Sequence, residues 1–188
     1  MEKNLTKRDV ARRQLMTAIT LFFQDKDLVS VFSLATNAWE VIDVLCNRAG
    51  VKSMSNRARE NIPVGRHLKA HYINEPCRNF FKHAERDPDA ILEEFDEHSV
   101  DAIVFLAVED YVRLFKKAPV EFQVFQAWYL ATNEEKVAEP EMDLISRSIE
   151  ELFPGIRDAS RIEQLQMGRG VLENALRDSE LLADPATE

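Results

Sequence analysis

The sequence predicts an all-α, single-domain helical bundle of about six to seven helices. Glycine is scarce, at five of 188 residues, whereas a typical protein has about 7% glycine. Tight hairpins and phosphate-cradling loops need glycine, so sheet-rich folds, Rossmann folds and P-loops are disfavoured. Apolar residues also recur at helical spacing along most of the chain. The length suits one domain at about 150 residues per domain, and such a domain needs no disulfide or metal to hold its core.

Two helices are predicted at the N-terminal end. Thr6 with Asp9 has the pattern of a capping box, which places the first helix over residues 7–24. Asp27 is placed to cap a longer second helix, which ends at Gly50. The apolar positions of the second helix form one wide face: Leu28, Val31, Phe32, Ala35, Trp39, Ile42 and Leu45.

The middle of the chain is predicted to be less regular. Residues 51–75 are polar and indicate only two short helices. Pro76 suits the first turn of a further helix, because its missing N–H is not needed there, and this helix would run to Arg86. An acidic connector over residues 87–98 follows. The two short helices are expected at about 55–61 and 66–73.

The C-terminal half is predicted to hold four more helices. Ser99 is placed to cap the first of them, and Ser160 with Glu163 has the capping-box pattern at the start of the last. The tail over residues 183–188 is expected to be frayed. The four helices are expected over residues 99–117, 120–132, 140–154 and 161–182.

Charge is divided unevenly along the chain. The formal net charge is −9. Residues 87–188 carry nine basic and 24 acidic residues, whereas residues 48–86 carry nine basic and three acidic residues together with His67, His71 and His83. Such a basic segment in an acidic protein indicates a site for an anion such as a nucleic acid. The alternative is that the segment docks on the acidic C-terminal part of its own chain.

The most informative motif is RNFFKH, from Arg78 to His83. On a helix, Asn79 and His83 share a face because they are four residues apart. Arg78 lies about 140° from His83 around a regular helix, so the two cannot form a tight pair. A second copy of the helix, related by a two-fold axis, would place two arginines and two histidines around one cleft. Phe80 and Phe81 would anchor the helix in a core.

RNFFKH resembles the Arg-x4-6-His signature of HEPN domains, in which a polar residue follows the arginine. The preceding helix, SLATNAWEVIDVLCNRAG, resembles the family's early amphipathic helix. The resemblance covers roughly residues 8–90. Residues 7–90 would then form the HEPN-like helices, and the acidic helices of residues 91–188 would pack on them.

The resemblance implies a small helical bundle, often dimeric, that either cleaves RNA without a metal or only binds it. Arg78 would hold a phosphate, because its planar fork matches two phosphate oxygens. His83 would move a proton as acid or base, and Asn79 would orient His83 or the phosphate. Glu40 or Asp43, on the earlier helix, could pair with Arg78.

Other constellations have simpler interpretations. His67 and His71 have the spacing of two metal ligands on a helix, and Cys77 beside Arg78 could be an activated thiol, but solvated histidines and a structural cysteine are favoured. No metal or cofactor is expected. An aromatic set at helical spacing could stack on bases and is more typical of a core. This set is Phe122, Phe125, Trp128 and Tyr129.

The predicted function is therefore that of a HEPN-like protein that binds or cleaves RNA as a homodimer. The alternative is a non-catalytic helical interaction or regulatory module with a protein partner. The longest uninterrupted apolar stretch, Ala102 to Val108, is too short to span a membrane, and no secretory signal is recognisable. Two cysteines without metal-like spacing suit a reducing setting, so a cytoplasmic location is expected.

Overall fold

The computed structural model describes residues 4–93, 95–133 and 149–188. The structure is 68% helical, which confirms the predicted all-α fold. Nine helices lie wholly within the described residues, namely seven α-helices, one π-helix and one 3-10 helix, slightly more than expected. The only pairing of extended backbone there is a single bridge between Ala118 and Thr187. The α-helices are α1 (Lys7–Phe23), α2 (Leu28–Ala49), α3 (Met54–Glu60), α4 (Glu97–Phe115), α5 (Val120–Thr132), α6 (Arg161–Ala175) and α7 (Ser179–Ala183); the π-helix spans Leu68–Arg78 and the 3-10 helix Ile156–Asp158.

The ends of the first two helices agree with the sequence. Thr6 and Asp9 form the capping box of α1. The Asp27 carboxylate accepts a hydrogen bond from the Ser30 N–H at the start of α2. Gly50 ends α2 in the left-handed conformation, with φ of 65°, which glycine adopts without the steric cost of a Cβ.

One hydrophobic core joins the long helices. Helix α2 packs on α1 and α4, while α5 packs on α6, α4 and α1, and α6 also contacts α1. The predicted aromatic set of α5 lies in this core, at 0–4% exposure, so it is not available to stack on bases. The largest fully buried side chains are Trp39, Trp128, Tyr111, Phe22, Phe122 and Phe125.

The predicted helix from Pro76 to Arg86 is wrong. Pro76 lies inside the π-helix, and residues 79–82 and 84–86 form turns. Proline removes one N–H donor from a regular α-helical ladder. The wider winding is visible where the Asn79 N–H donates to the Asn74 carbonyl, five residues back. The expectation of a short helix over residues 66–73 is corrected at the same time, because the π-helix runs past it.

Phe81 packs against other aromatic rings, whereas the neighbouring Phe80 is exposed. The Phe81 ring packs edge-to-face on Phe32 of α2 and on Phe95, with ring centroids 5.9 and 5.6 Å away. This contact fixes the turn that follows the π-helix against the core. Phe80 is 37% exposed, so the expectation that both phenylalanines anchor this segment holds for Phe81 alone.

Two helix boundaries in the C-terminal half also differ from the prediction. Helix α4 is capped by Asp96 rather than Ser99, because the Asp96 carboxylate accepts from the backbone N–H groups of His98 and Ser99. The last predicted helix is broken into α6 and α7. Asp178 caps α7 by accepting from the N–H groups of Glu180 and Leu181, and this starts a new helix.

The chain's last residues are held rather than frayed, which corrects the prediction for residues 183–188. The Glu188 carboxylate lies 2.7 Å from Arg8 and 3.2 Å from Arg12. It also accepts a hydrogen bond from the Tyr111 hydroxyl at 2.8 Å. The helix predicted from Pro140 begins outside the described residues; residues 149–152 are helical, and a turn at Pro154 and Gly155 follows.

Helix α2 is long and apolar enough to cross a membrane by length and composition, with a mean hydropathy of 1.4 over 18 residues. The core helix of a soluble protein passes the same test. Here one face of α2 lies in the core, while Glu40 and Asp43 on its polar side make ion pairs with other parts of the chain.

Candidate anion-binding cleft

The end of the π-helix and the turn after it form a cleft against α2. The cleft has a volume of about 250 Å³. All three predicted site residues contribute to its lining, so the structure brings Arg78, Asn79 and His83 together although they are not on one regular helix. The residues that line it are Glu40, Lys69, Asn74, Arg78, Asn79, Lys82 and His83.

Arg78 is held in place by two residues of α2 that are nearly one turn apart. Its Nη2 lies 2.6 Å from Oε2 of Glu40 and donates to Oδ1 of Asn37 at 3.1 Å. The prediction that Glu40 or Asp43 pairs with Arg78 is thus confirmed for Glu40. Asp43 instead binds Arg59 of α3 through two contacts of 2.6 and 2.9 Å.

Two lysines join Arg78 at the same place. Lys69 forms an ion pair with the other oxygen of the Glu40 carboxylate. Lys82 donates to Oδ1 of Asn37 at 3.2 Å. Three cations therefore surround one carboxylate and one amide oxygen. This arrangement leaves positive charge that Glu40 does not balance.

The titration behaviour of the cleft agrees with this surplus. Burial would raise the pKa of Glu40, but the hydrogen bonds from Lys69 and Arg78 outweigh it and hold the pKa below its ordinary value. Desolvation lowers the pKa of Lys82, and the nearby Arg78 charge lowers it further. A lysine whose charge is disfavoured by a neighbouring cation would be stabilised by an added anion.

Arg78 is also partly desolvated. Its side chain is 12% exposed, and its Nε is buried with no hydrogen-bond partner. The contacts with Glu40 and Asn37 fix the guanidinium in orientation before any ligand arrives, so binding an anion does not have to order it.

His83 and Asn79 keep the four-residue relationship that the motif predicts. They are joined by a single turn, in which the His83 N–H donates to the Asn79 carbonyl at 3.0 Å. The His83 ring is 37% exposed, and its Nδ1 lies 3.3 Å from Oε1 of Glu85. A carboxylate at Nδ1 favours the tautomer that leaves Nε2 free to accept a proton.

Sequence reasoning missed Lys69, Lys82 and Asn37 as site residues. Lys82 lies inside the RNFFKH motif, and its charge was a usable signal. Asn37 and Glu40 lie three residues apart and so share one face of α2, which is a second usable signal. Lys69 could not be linked to Arg78 by helical spacing, because the winding of a π-helix differs from that of an α-helix.

The basic segment contacts both α2 and the C-terminal part of the chain. Its cations Arg59, Lys69 and Arg78 pair with acidic residues of α2, whereas Asp110 of α4 accepts hydrogen bonds from the backbone N–H and the hydroxyl of Ser55. The Cys77 thiol is buried, and burial raises its pKa, which is the opposite of an activated thiolate.

The two histidines with metal-like spacing contact each other directly. The His67 N–H donates to Nδ1 of His71 at 2.8 Å, which occupies one ring nitrogen. Nε2 of His71 lies 3.9 Å from Oε1 of Glu75. In the part of the chain that the structure describes, no three His, Cys, Asp or Glu side chains are grouped to hold a metal ion.

Comparison of this chain with family models, with curated proteins and with solved structures finds no match. The resemblance to HEPN domains therefore depends on the RNFFKH segment and the helix before it.

Proposed function

We propose that the protein binds RNA without a metal, through the cleft between α2 and the π-helix. The observation that carries this proposal is the convergence of Arg78, Lys69 and Lys82 on one solvent-accessible cleft with a single carboxylate. Phosphate contacts of this kind supply most of the affinity of sequence-independent nucleic-acid binding. The resemblance to HEPN domains supports RNA as the ligand.

Arg78 would contact the phosphate most directly. Asn37 and Glu40 both bind Nη2 of its guanidinium, and Nε is buried, which leaves Nη1 to donate a charge-assisted hydrogen bond to a phosphate oxygen. Lys82 would supply a second contact, because an amide oxygen is a weaker partner for an ammonium than a phosphate is. Asn79 would donate a hydrogen bond from its side-chain amide.

Cleavage of RNA would need one further element. A metal-independent phosphodiester cleavage requires one group to take the proton of the attacking 2′-hydroxyl and another to protonate the leaving oxygen. The cleft described here contains one imidazole, that of His83. A two-fold homodimer that apposes two clefts would supply the second, so the catalytic form of the proposal depends on a dimer.

RNA binding is tested with a fluorescent single-stranded oligoribonucleotide and the full chain at low salt. Arg78→Ala should weaken binding about tenfold or more, because a charge-assisted phosphate contact is worth about 1.5–3 kcal/mol. Lys117→Ala is the matched control, since Lys117 is an exposed lysine outside the cleft. Equal binding by the wild-type protein and Arg78→Ala would contradict the proposal.

Cleavage is tested with mixed RNA in the presence of EDTA. His83→Ala should abolish cleavage and retain most of the affinity, because affinity comes mainly from the cations. Sedimentation should show a dimer at micromolar concentration if cleavage occurs. If a monomer binds RNA without cleaving it, only the binding part of the proposal is retained. If the protein does not bind RNA, the alternative of a helical interaction module is favoured.

A further inference from the structure

The charges of the cleft indicate more than a general affinity for phosphate. Lys69, Arg78 and Lys82 contribute three positive charges, and Glu40 contributes one negative charge. The low pKa of Glu40 means that this carboxylate stays ionised at neutral pH. The residues that line the cleft therefore carry two uncompensated positive charges, apart from His83, which lies at the rim beside the Glu85 carboxylate.

The phosphates of RNA differ in charge and in their number of free oxygens. An internal phosphodiester has one negative charge and two non-bridging oxygens. A terminal phosphate monoester carries a charge of about −1.5 to −2 at pH 7 and has three acceptor oxygens. The two uncompensated charges of the cleft match the charge of the monoester, and its three cationic donors match the three acceptor oxygens.

Glu40 increases the preference for a phosphate monoester over a phosphodiester. Its two oxygens already bind Lys69 and Arg78, so its carboxylate resembles a resident monoanion. A phosphodiester brings no more charge than this carboxylate and competes with it for the same donors. A dianionic monoester brings more charge, and can bind beside Glu40 with Lys82 or take its place.

We propose that the cleft recognises a terminal phosphate monoester of RNA in preference to an internal phosphodiester. This inference rests on the proposed RNA binding. A bound terminal phosphate would occupy the position that a scissile diester needs at Arg78. A terminal phosphate should therefore inhibit, rather than promote, any cleavage at the same cleft.

The test uses three oligoribonucleotides of one sequence, which carry a 5′-phosphate, a 3′-phosphate or hydroxyl groups at both ends. Each is titrated with the full chain at pH 7.5. At least one phosphorylated form should bind about tenfold more tightly than the hydroxyl form, because one extra charge acts on partly desolvated cations. The comparison of the two phosphorylated forms identifies which end is bound.

Lys82→Ala and Lys117→Ala form the matched pair of variants, since both remove an exposed lysine. Lys82→Ala should reduce the preference for the phosphorylated end to about twofold or less, and Lys117→Ala should retain it. Equal affinity of the wild-type protein for all three oligonucleotides would overturn this inference and leave RNA binding intact. Failure of all three to bind would overturn both proposals.

Discussion

The helical core and the cleft segment are stabilised by different interactions. In the core, Phe22 packs edge-to-face on Trp128 and Phe125, with ring centroids 5.1 and 5.2 Å apart, and all three side chains are 0–1% exposed. Among the described side chains of the cleft segment, residues 61–93 and 95–96, the buried apolar ones are Leu68, Ile73 and Cys77. The ion pairs of Lys69 and Arg78 with Glu40 add a polar attachment to α2.

This difference separates stability from the candidate function. Helix α2 belongs to the core, and it presents Asn37 and Glu40 from a rigid element. The cleft segment brings the cations to them. Segments with few buried contacts open at a lower free energy than core helices. Arg78 is therefore oriented by the core, although it belongs to the less stable region.

The largest expected effect is on the free energy of unfolding, when one phenylalanine from each region is replaced by alanine. Phe22→Ala should lower the free energy of unfolding by about 3–5 kcal/mol, because it leaves a cavity among packed rings. Phe80→Ala in the cleft segment should cost less than about 1 kcal/mol, since Phe80 is 37% exposed. Urea unfolding followed by circular dichroism measures both. Equal losses would contradict the division between the two regions.

A second comparison tests how closely the core is packed. A Cβ on Gly168 of α6 would lie 2.2 Å from a ring carbon of Phe23, which is itself 2% exposed and cannot easily move. Gly168→Ala should therefore destabilise the fold by about 1–3 kcal/mol. Gly170→Ala, where a Cβ meets nothing within 4 Å, should be neutral or stabilise by up to about 1 kcal/mol. Thermal unfolding of the two variants side by side shows whether this order holds.

A smaller effect is expected in the cleft. Glu40→Gln removes the negative charge between Lys69 and Arg78, so affinity for RNA should rise about fivefold to tenfold at neutral pH. The same change should lower the free energy of unfolding by less than about 1 kcal/mol, because Glu40 is 35% exposed. Weaker RNA binding by Glu40→Gln would show that Glu40 does not compete with phosphate.

The pH dependence of this variant follows from the lowered pKa of Glu40. Its ion pairs stabilise the fold above the ordinary glutamate pKa of 4.5, and that stabilisation is lost as the pH falls through the lower value of the folded state. Between about pH 8 and pH 5.5, Glu40 therefore stays charged. The affinity ratio of Glu40→Gln to the wild-type protein should be constant over that range, because every other group of the cleft is the same in both proteins. A ratio that approaches one by pH 5.5 would contradict the lowered pKa.

The sequence predicted the core better than the cleft segment for physical reasons. Helices α1, α2 and α5 lie within one residue of their expected ends, because buried helices have regular apolar spacing and their caps are local. Two helix boundaries in the C-terminal half were predicted wrongly, because several residue types cap well. Asp96 caps α4 where Ser99 was expected, and Asp178 starts α7 where one continued helix was expected.

The cleft was predicted only in part. The motif identified Arg78, Asn79 and His83, and Glu40 was one of two expected partners. The π-helix was not predicted, because such helices are rare and have no recognised pattern in a single sequence. Without it, the position of Lys69 beside Arg78 could not be inferred, and neither could the balance of charge in the cleft.

The salt dependence of RNA binding tests most directly whether this cleft contacts phosphate. The dissociation constant is measured against salt concentration for the wild-type protein, Lys82→Ala and Lys117→Ala. The wild-type affinity should fall steeply with salt, and Lys82→Ala should reduce the logarithmic slope by about 0.7 to 1, the value for one lost phosphate contact. Lys117→Ala should retain the full slope. Binding that does not depend on salt, or a slope that Lys82→Ala leaves unchanged, would contradict a phosphate site in the cleft.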